Sequence, residues 1–325
     1  MKNLSVLYIA DENFAPLVGI SVTSLFENNP AERIALSVYI LTTNMSDTNK
    51  SLFADLAEQY HQCISIINVG GELKKIEQLN LAKYRGSAMT NLRLWFDKFV
   101  PNSIGRILYV DADTIICDSI EELAEYDMQG KMLGMVYDAY GKIIADKEHK
   151  GDSYYNAGII LIDCEKWRKG LWRKKIISYI NRNGAPFAHP DQDIYNILCR
   201  DEIVRLPIRY NYQPIHQMYS DKLVCRLLNK FDYYSPQEIS EGRKRPAILH
   251  MVRVFGRNPW HKDNTHPFDS LYKRYKKISP WNNRVDDEMK IGWVIRIEIM
   301  LHKILPQWIF LPLSFHAIKM SMKRS

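Results

Sequence analysis

Residues 4 to 69 alternate apolar runs with amphipathic ones, and this rhythm constrains the fold more than any other feature of the chain. Leu4 to Ala10 reads as a strand that stops at Asp11-Glu12-Asn13-Phe14. Pro16 opens a helix-like run to Asn28, and Ile34 to Thr42 reads as a second strand. Ser46 or Asp47 can cap a helix that places Leu52, Leu56 and Tyr60 on one stripe. Cys63 to Val69 is a third strand. Strand and helix alternating in this way predict an α/β fold, a mainly parallel sheet with helices on both faces.

A nucleotide is a common ligand of such a half-sheet, yet no G-x-G-x-x-G follows the first strand and no Walker sequence occurs. Dinucleotide and P-loop readings are therefore disfavoured. A diphosphate held without a glycine cradle or a P-loop lysine needs a metal ion. Residues 104 to 120 offer one a seat. The apolar run Ile107 to Val110 ends in Asp111 and Asp113, which share one face if the strand continues. Two carboxylates so close repel each other, and a hard divalent cation with oxygen ligands removes that repulsion. A solvated turn, where Asp is common, is the alternative, and the motif alone does not decide between them.

Further along, Ser87 to Val100 reads as a helix carrying Asn91 and Arg93, Ile120 to Met128 as a short helix, and Met132 to Asp138 as a strand. Ala139 to Ser153 is a charged loop. Asn156-Ala157-Gly158 precedes the strand Ile159 to Ile162, and such small residues let a ligand approach the backbone. Pro190 opens a helix whose first turn holds Asp191 and Gln192, where the helix dipole favours a carboxylate. Capping is the plain alternative for Asp191. Ile203 to Tyr212 is strand-like. His250 lies within the apolar run Pro246 to Val252, where local context makes it a core residue. His261 and His266 have no third ligand nearby and read as surface.

Taken in order, ADENF (10–14), RILYVDADTIICDS (106–119), YYNAGIILIDCEKW (154–167), HPDQDIYN (189–196) and ILHMV with GRNPWH (248–261) resemble glycosyltransferase family 8 over roughly residues 4–262. The resemblance is to its bacterial lipooligosaccharide and lipopolysaccharide galactosyl- and glucosyltransferases, with glycogenin a more distant relative. It implies a GT-A-type nucleotide-diphospho-sugar transferase fold. The implied reaction is retaining transfer of a galactose or glucose from a UDP-sugar to a saccharide or glycolipid acceptor, with Mn2+ or Mg2+. Asp111, Asp113 and His250 would then hold the metal, which displaces the core reading of His250. Asp11 and Asn13 would bind the uridine end, with Phe14 on uracil and Ala10 and Ala112 beside them. Arg93 would contact the donor sugar or diphosphate, and Asn156, Ala157 and Gly158 would line the donor pocket. Asp191 would hold the transferred hexose, and Gln192 would lie near the anomeric carbon. Front-face attack by the acceptor hydroxyl, with the departing phosphate as base and Gln192 as an electrostatic helper, is the expected route, and a sugar trapped covalently on Asp191 or Asp138 would contradict it. The segment after His250 departs from the family pattern, because Asn258 stands where a diphosphate-binding Lys is expected. Arg253, or Arg257 next to Gly256, is the replacement cation. A UDP-sugar-binding protein without transferase activity is the second reading.

The 325 residues suffice for one large or two ordinary domains, and 46% hydrophobic with 25% charged content is ordinary for a globular protein. Five widely spaced cysteines with no C-x-x-C argue against a zinc site or disulfide scaffold and suit a reducing compartment. The amino terminus reads as a strand, not a signal peptide, and no charge-free apolar stretch is long enough to span a membrane. The net charge of +7 is concentrated in the last third. From Trp281 onward, Trp, Ile, Leu and Phe mix with Lys and Arg, interrupted by Pro306 and Pro312. Trp293, Trp308, Lys303, Lys319, Lys323 and Arg324, with Lys273, Arg274, Lys276 and Lys277 upstream, suit a segment lying on a membrane surface. A final helix packed on the rest is the alternative. The expectation is a catalytic domain of residues 1–280 and a membrane-associating segment of residues 281–325, on the inner face of the cytoplasmic membrane. Basic and aromatic residues also interleave in single-strand nucleic-acid binders, but no such motif is present and no nucleic-acid partner is expected.

Overall fold

The computed structural model of the chain describes residues 2–79, 88–140, 153–184, 189–228 and 233–322. Its strands are β1 (Lys2–Ile9), β2 (Ile34–Thr42), β3 (Cys63–Asn68), β4 (Arg106–Val110), β5 (Thr114–Ile116), β6 (Leu133–Tyr137), β7 (Tyr155–Asp163), β8 (Ile203–Arg205) and β9 (Ile248–His250). Seven of them form a central sheet in the order β3-β2-β1-β4-β7-β6-β8. The pairs β1/β2, β2/β3, β1/β4 and β6/β8 are parallel, while β7 is antiparallel to both β4 and β6. This is the mixed, mainly parallel α/β sheet expected from the sequence. The remaining strands, β5 and β9, pair antiparallel with each other.

Helix α1 (Ala15–Asn28) shows why the first crossover lacks a polar stripe: Leu17 to Phe26 are all buried. Its hydroxyls are satisfied locally or by the sheet. Thr23 Oγ1 donates to Gly19 O (2.8 Å), and Ser24 Oγ accepts from the Ile116 N–H (2.9 Å). Helix α2 (Asp47–Gln59) is capped by Ser46, whose side chain accepts from the Asn49 N–H.

Several local expectations are revised. Ser87 to Val100 is a 3-10 helix over Met89–Lys98, with Ser87 outside the described residues. The segment after Ile120 is likewise a 3-10 turn, Glu121–Glu125. Only Ile203–Arg205 of the run to Tyr212 is strand, and Ile208–Asn211 turns back as 3-10 helix. Of the loop from Ala139 to Ser153, residues 141–152 lie outside the described residues. Asn156-Ala157-Gly158 lies within β7, not before it. There β7 advances from Ile160 to Asn156 while β6 advances only from Met135 to Val136. This bulge turns three small or polar residues towards the ends of β1 and β4.

Trp281 is buried, and its Nε1–H donates to Asn49 Oδ1 (2.7 Å) while its ring packs on Phe53. The ring presses so closely on α1 that a β-carbon at Gly19 would lie 2.1 Å from it. Two helices, Trp293–Ile304 and Gln307–Met322, end the described chain, and Phe310, Leu311 and Phe315 are buried. Among the described residues no helix is long and apolar enough to cross a membrane.

Candidate active site at the carboxyl ends of β1 and β4

Asp111 follows the last residue of β4, and its N–H is held by Gly158 O (2.8 Å). The chain then turns into β5, where pairing sets Thr114 opposite His250 of β9. Met251 N–H donates to Asp113 O (2.8 Å), and Thr114 Oγ1 donates to Asp111 O (2.9 Å). Ser21 of α1 joins Thr114 to Tyr8 through hydroxyl contacts of 2.8 and 3.0 Å. The turn carrying both carboxylates is thus fixed from β7, β9 and α1.

Asp111, Asp113 and His250 each offer a ligand atom within 4.8 Å of the others. His250 Nε2 lies 3.2 Å from Asp113 Oδ1 and 3.8 Å from Asp111 Oδ2. Burial opposes a charge on His250, but the Asp113 and Asp111 carboxylates outweigh it and raise the imidazolium above its usual range. Burial, reinforced by repulsion from Asp113, holds the Asp111 carboxyl above its ordinary range despite Arg93. Two carboxylates and one imidazole are the donor set of a hard-to-borderline divalent cation, and the three residues fit one. The backbone is shaped for this approach: a β-carbon at Gly158 would lie 2.2 Å from His250 Cε1.

Arg93 is buried beneath the cluster. Its Nη2 lies 2.9 Å from Asp111 Oδ1, its Nε 2.9 Å from Asp191 Oδ2, and its Nη1 donates to Ala157 O (2.6 Å). The guanidinium also stacks on the Tyr109 ring at 4.4 Å, and the Tyr109 hydroxyl donates to Asp111. Burial works against the Arg93 charge, but Asp111 and Asp191 outweigh it and keep it firmly cationic. Asp191 is therefore ion-paired across the site. The end of its helix, Pro190–Leu198, is closed instead by Asp193 Oδ2, which accepts from the His189 N–H (3.0 Å).

A chain of amides connects the cluster to Gln192. His250 Nδ1 lies 3.0 Å from Asn211 Oδ1, and Asn211 Nδ2 donates to Asn156 Oδ1 (2.8 Å). Asn156 Nδ2 donates to Asp138 Oδ2 (2.8 Å), which also accepts from Gln192 Nε2 (3.1 Å). Gln192 Oε1 accepts from the Ala157 N–H (2.9 Å).

These groups open onto a cleft of about 660 Å3. Every candidate site residue lines it except Asn13, Gly256 and Arg257. Arg257 is turned away, donating to Asp263 O (2.9 Å) and Met289 O (3.3 Å). Arg253 is in the cleft wall, with Nε donating to Asn258 Oδ1 (3.2 Å). Asn258 is buried, and its Nδ2 donates to Met251 O (2.7 Å). The residue in place of the expected Lys thus orients an arginine. A groove of similar volume between residues 97–102 and 167–174 contains none of the candidate residues.

His261 and His266 are not on the surface; they are 5% and 4% exposed. His261 Nδ1 accepts from the Asn258 N–H (2.8 Å). His266 is bonded to Val252 O (3.0 Å) and the Phe268 N–H (3.2 Å). Both brace the segment after β9. Asn211, Tyr109 and Gln213, which lines the cleft, escaped sequence reasoning. Asn211 and Gln213 flank Tyr212 in an aromatic stretch with no spacing that marks a site.

The family model for glycosyl transferase family 8 matches residues 5–264, and the chain belongs to that family. General stress protein A of Bacillus subtilis is 27% identical, over 86% of this chain and 95% of that protein. The lipopolysaccharide 1,2-glucosyltransferase of Escherichia coli K12 is also 27% identical, over 86% of this chain and 79% of that protein. The structure of the galactosyltransferase LgtC, solved with donor and acceptor sugar analogues, superposes with a TM-score of 0.67 at 20% identity. It covers 90% of this chain and 99% of that one, so the two share the GT-A fold.

Proposed function

We propose that the protein transfers a galactose or glucose from a UDP-sugar to a saccharide acceptor, with retention at the anomeric carbon. The convergence of Asp111, Asp113 and His250 at the floor of a cleft walled by Phe14 and Arg253 carries this reading. Asp111, Asp113 and His250 would hold Mn2+ or Mg2+, which when bound supplies Lewis-acid stabilisation to a diphosphate leaving group. Phe14, 47% exposed, offers its ring to the uracil, and Asp11 stands at the same end of the cleft. Arg253 adds positive charge where the diphosphate departs.

Two arrangements favour attack by the acceptor hydroxyl on the face that UDP leaves. Asp191 Oδ2 is committed to Arg93, and Asp138 Oδ2 takes hydrogen bonds from both Asn156 and Gln192. Each carboxylate is held as an acceptor and is poorly placed as a nucleophile. The hydroxyl oxygen bonds to the anomeric carbon, its proton passes to the departing phosphate, and Gln192 steadies the sugar with its fixed amide. A panel of UDP-hexoses with a saccharide acceptor tests this, with the product anomer read by NMR. An inverted product, or a sugar trapped covalently on Asp191 or Asp138, defeats the front-face route.

The C-terminal helices support a surface role on this reading. Trp293, Ile297, Met300, Ile304 and Trp308 form an exposed apolar face, with Lys290, Arg296 and Lys303 exposed around it. That combination suits an anionic lipid surface, such as the inner face of the cytoplasmic membrane, and therefore a lipid-linked acceptor. Residues 281–325 would be the membrane-associating part of the chain, seated on a catalytic domain of residues 1–280 through Trp281, Phe310, Leu311 and Phe315.

A further inference from the structure

We propose that Asn49 is a positioning residue for the nucleotide end of the cleft: it passes the direction of the Trp281 N–H on to Glu12 and so fixes the turn that carries Asp11 and Phe14. The effect on UDP rests on the donor reading above; the hydrogen-bond relay does not.

The relay has one possible polarity. An indole N–H only donates, so the Asn49 terminus 2.7 Å from Trp281 Nε1 is the carbonyl oxygen. The other terminus is then the NH2 group, and it donates to Glu12 Oε1 (2.9 Å). Glu12 Oε2 accepts from the Ser46 N–H (2.7 Å) at the start of α2, and this bond is the main reason its carboxyl lies below the ordinary range. Both oxygens of Glu12 are thus acceptors with matched donors. The turn around Glu12 is closed by Asp11. Its backbone oxygen accepts from the Phe14 and Ala15 N–H groups (3.2 and 3.0 Å), and its Oδ1 accepts from the Phe14 N–H (3.1 Å). Glu12 ties that turn to α2, while Asp11 and Phe14 line the cleft.

Packing keeps the first donor from moving. The Trp281 ring is wedged between Gly19 of α1 and Phe53 of α2, its centroid 4.7 Å from that of Phe53. Trp281 and Asn49 are both buried, so water competes little for their bond. Asn49 does not itself line the cleft. It acts on a nucleotide through Glu12 and the turn, by ordering the groups that meet the ligand before the ligand arrives.

The test reverses the polarity of one link. Asn49→Asp keeps an acceptor for the Trp281 N–H but sets a carboxylate against Glu12. Glu12→Gln sets its NH2 group against either the Asn49 NH2 or the Ser46 N–H. Glu12→Gln combined with Asn49→Asp again matches a donor to an acceptor at every link. Two quantities are read on the full chain: UDP affinity with Mn2+ by calorimetry, and amide hydrogen exchange of residues 10–15 by mass spectrometry. Each single variant is expected to bind UDP about 5- to 10-fold more weakly, the size of one net hydrogen bond, and to exchange faster in the turn. The double variant is expected to recover both to within about twofold, which a merely structural role for either side chain would not produce. Exchange or UDP affinity unchanged in a folded Asn49→Asp overturns the proposal, as does a double variant no better than the single ones. Wild-type protein and variants that show this exchange pattern yet bind no UDP overturn the donor reading and leave the relay standing.

Discussion

Gly158 lies so close to the ring of His250 that a β-carbon there would fall 2.2 Å from Cε1 and 2.8 Å from Nδ1. His250 is buried beside it, and the backbone of Gly158 also holds Asp111. Gly158→Ala should therefore push the imidazole out of line with Asp111 and Asp113 while leaving the sheet intact. Mn2+-dependent UDP binding is expected to fall by about 10-fold or more, read by calorimetry alongside an unchanged circular dichroism spectrum.

Arg253 and Arg257 make opposite predictions. Arg253 is in the cleft wall, oriented by Asn258, whereas Arg257 is spent on two backbone carbonyls outside it. Arg253→Met should weaken UDP binding by about 10- to 100-fold, the size of a lost charged hydrogen bond. Arg257→Met should leave UDP affinity within about twofold, because surface charges away from a site contribute little. Equal effects of the two substitutions would show that the diphosphate is held elsewhere.

His266 predicts a pH dependence of stability. Burial pushes its imidazolium down to about 4, against the hydrogen bond to Val252 O, which favours the charged ring. In the unfolded chain the ring takes a proton near 6.5, so between about 6.5 and 4 the unfolded state binds more protons. The contribution is complete above about 6.5 and is lost as pH falls towards 4, on the order of 3 kcal/mol. Denaturant unfolding at pH 7, 5.5 and 4.5 should show a shallower loss of stability for His266→Gln than for the wild type.

The apolar face of Trp293–Ile304 gives a prediction about lipid. Trp293 is 73% exposed and Trp308 is 68% exposed, with Arg296 and Lys303 nearby in sequence. Sedimentation with anionic vesicles should be strong at low salt and weaken as salt rises. Trp293→Ser with Trp308→Ser should reduce it severalfold without changing UDP binding. Equal sedimentation of this variant and the wild type would show that the face does not contact lipid.

The alternation of β1, α1, β2, α2 and β3 was legible because each strand is a compact apolar run with turn residues at its ends. The Asp111–Asp113 pair was legible because it follows such a run directly. His250 was legible only through the ordered motifs, since its local context is that of a core residue. What remained hidden depends on contacts between distant parts of the chain. Nothing near His266 shows that its partner is the backbone of Val252. The Met89–Lys98 segment has the apolar content of an α-helix, and only the structure shows that Arg93 is turned beneath Asp111 and Asp191. Asn211 sits among aromatic residues, and its partner Asn156 lies 55 positions away. Trp281 marks a change of composition, yet its ring lies against Gly19 at the other end of the chain.

The most direct test of the central claim is UDP-hexose turnover by wild-type protein and by Asp113→Asn, each with and without Mn2+ and with a saccharide acceptor present. The account predicts that one UDP-hexose is consumed by the wild type only with the cation. It also predicts that Asp113→Asn, with one of the two negative charges neutralised, loses at least about 100-fold of that activity. Turnover that proceeds equally without a divalent cation, or that survives in Asp113→Asn, would contradict it.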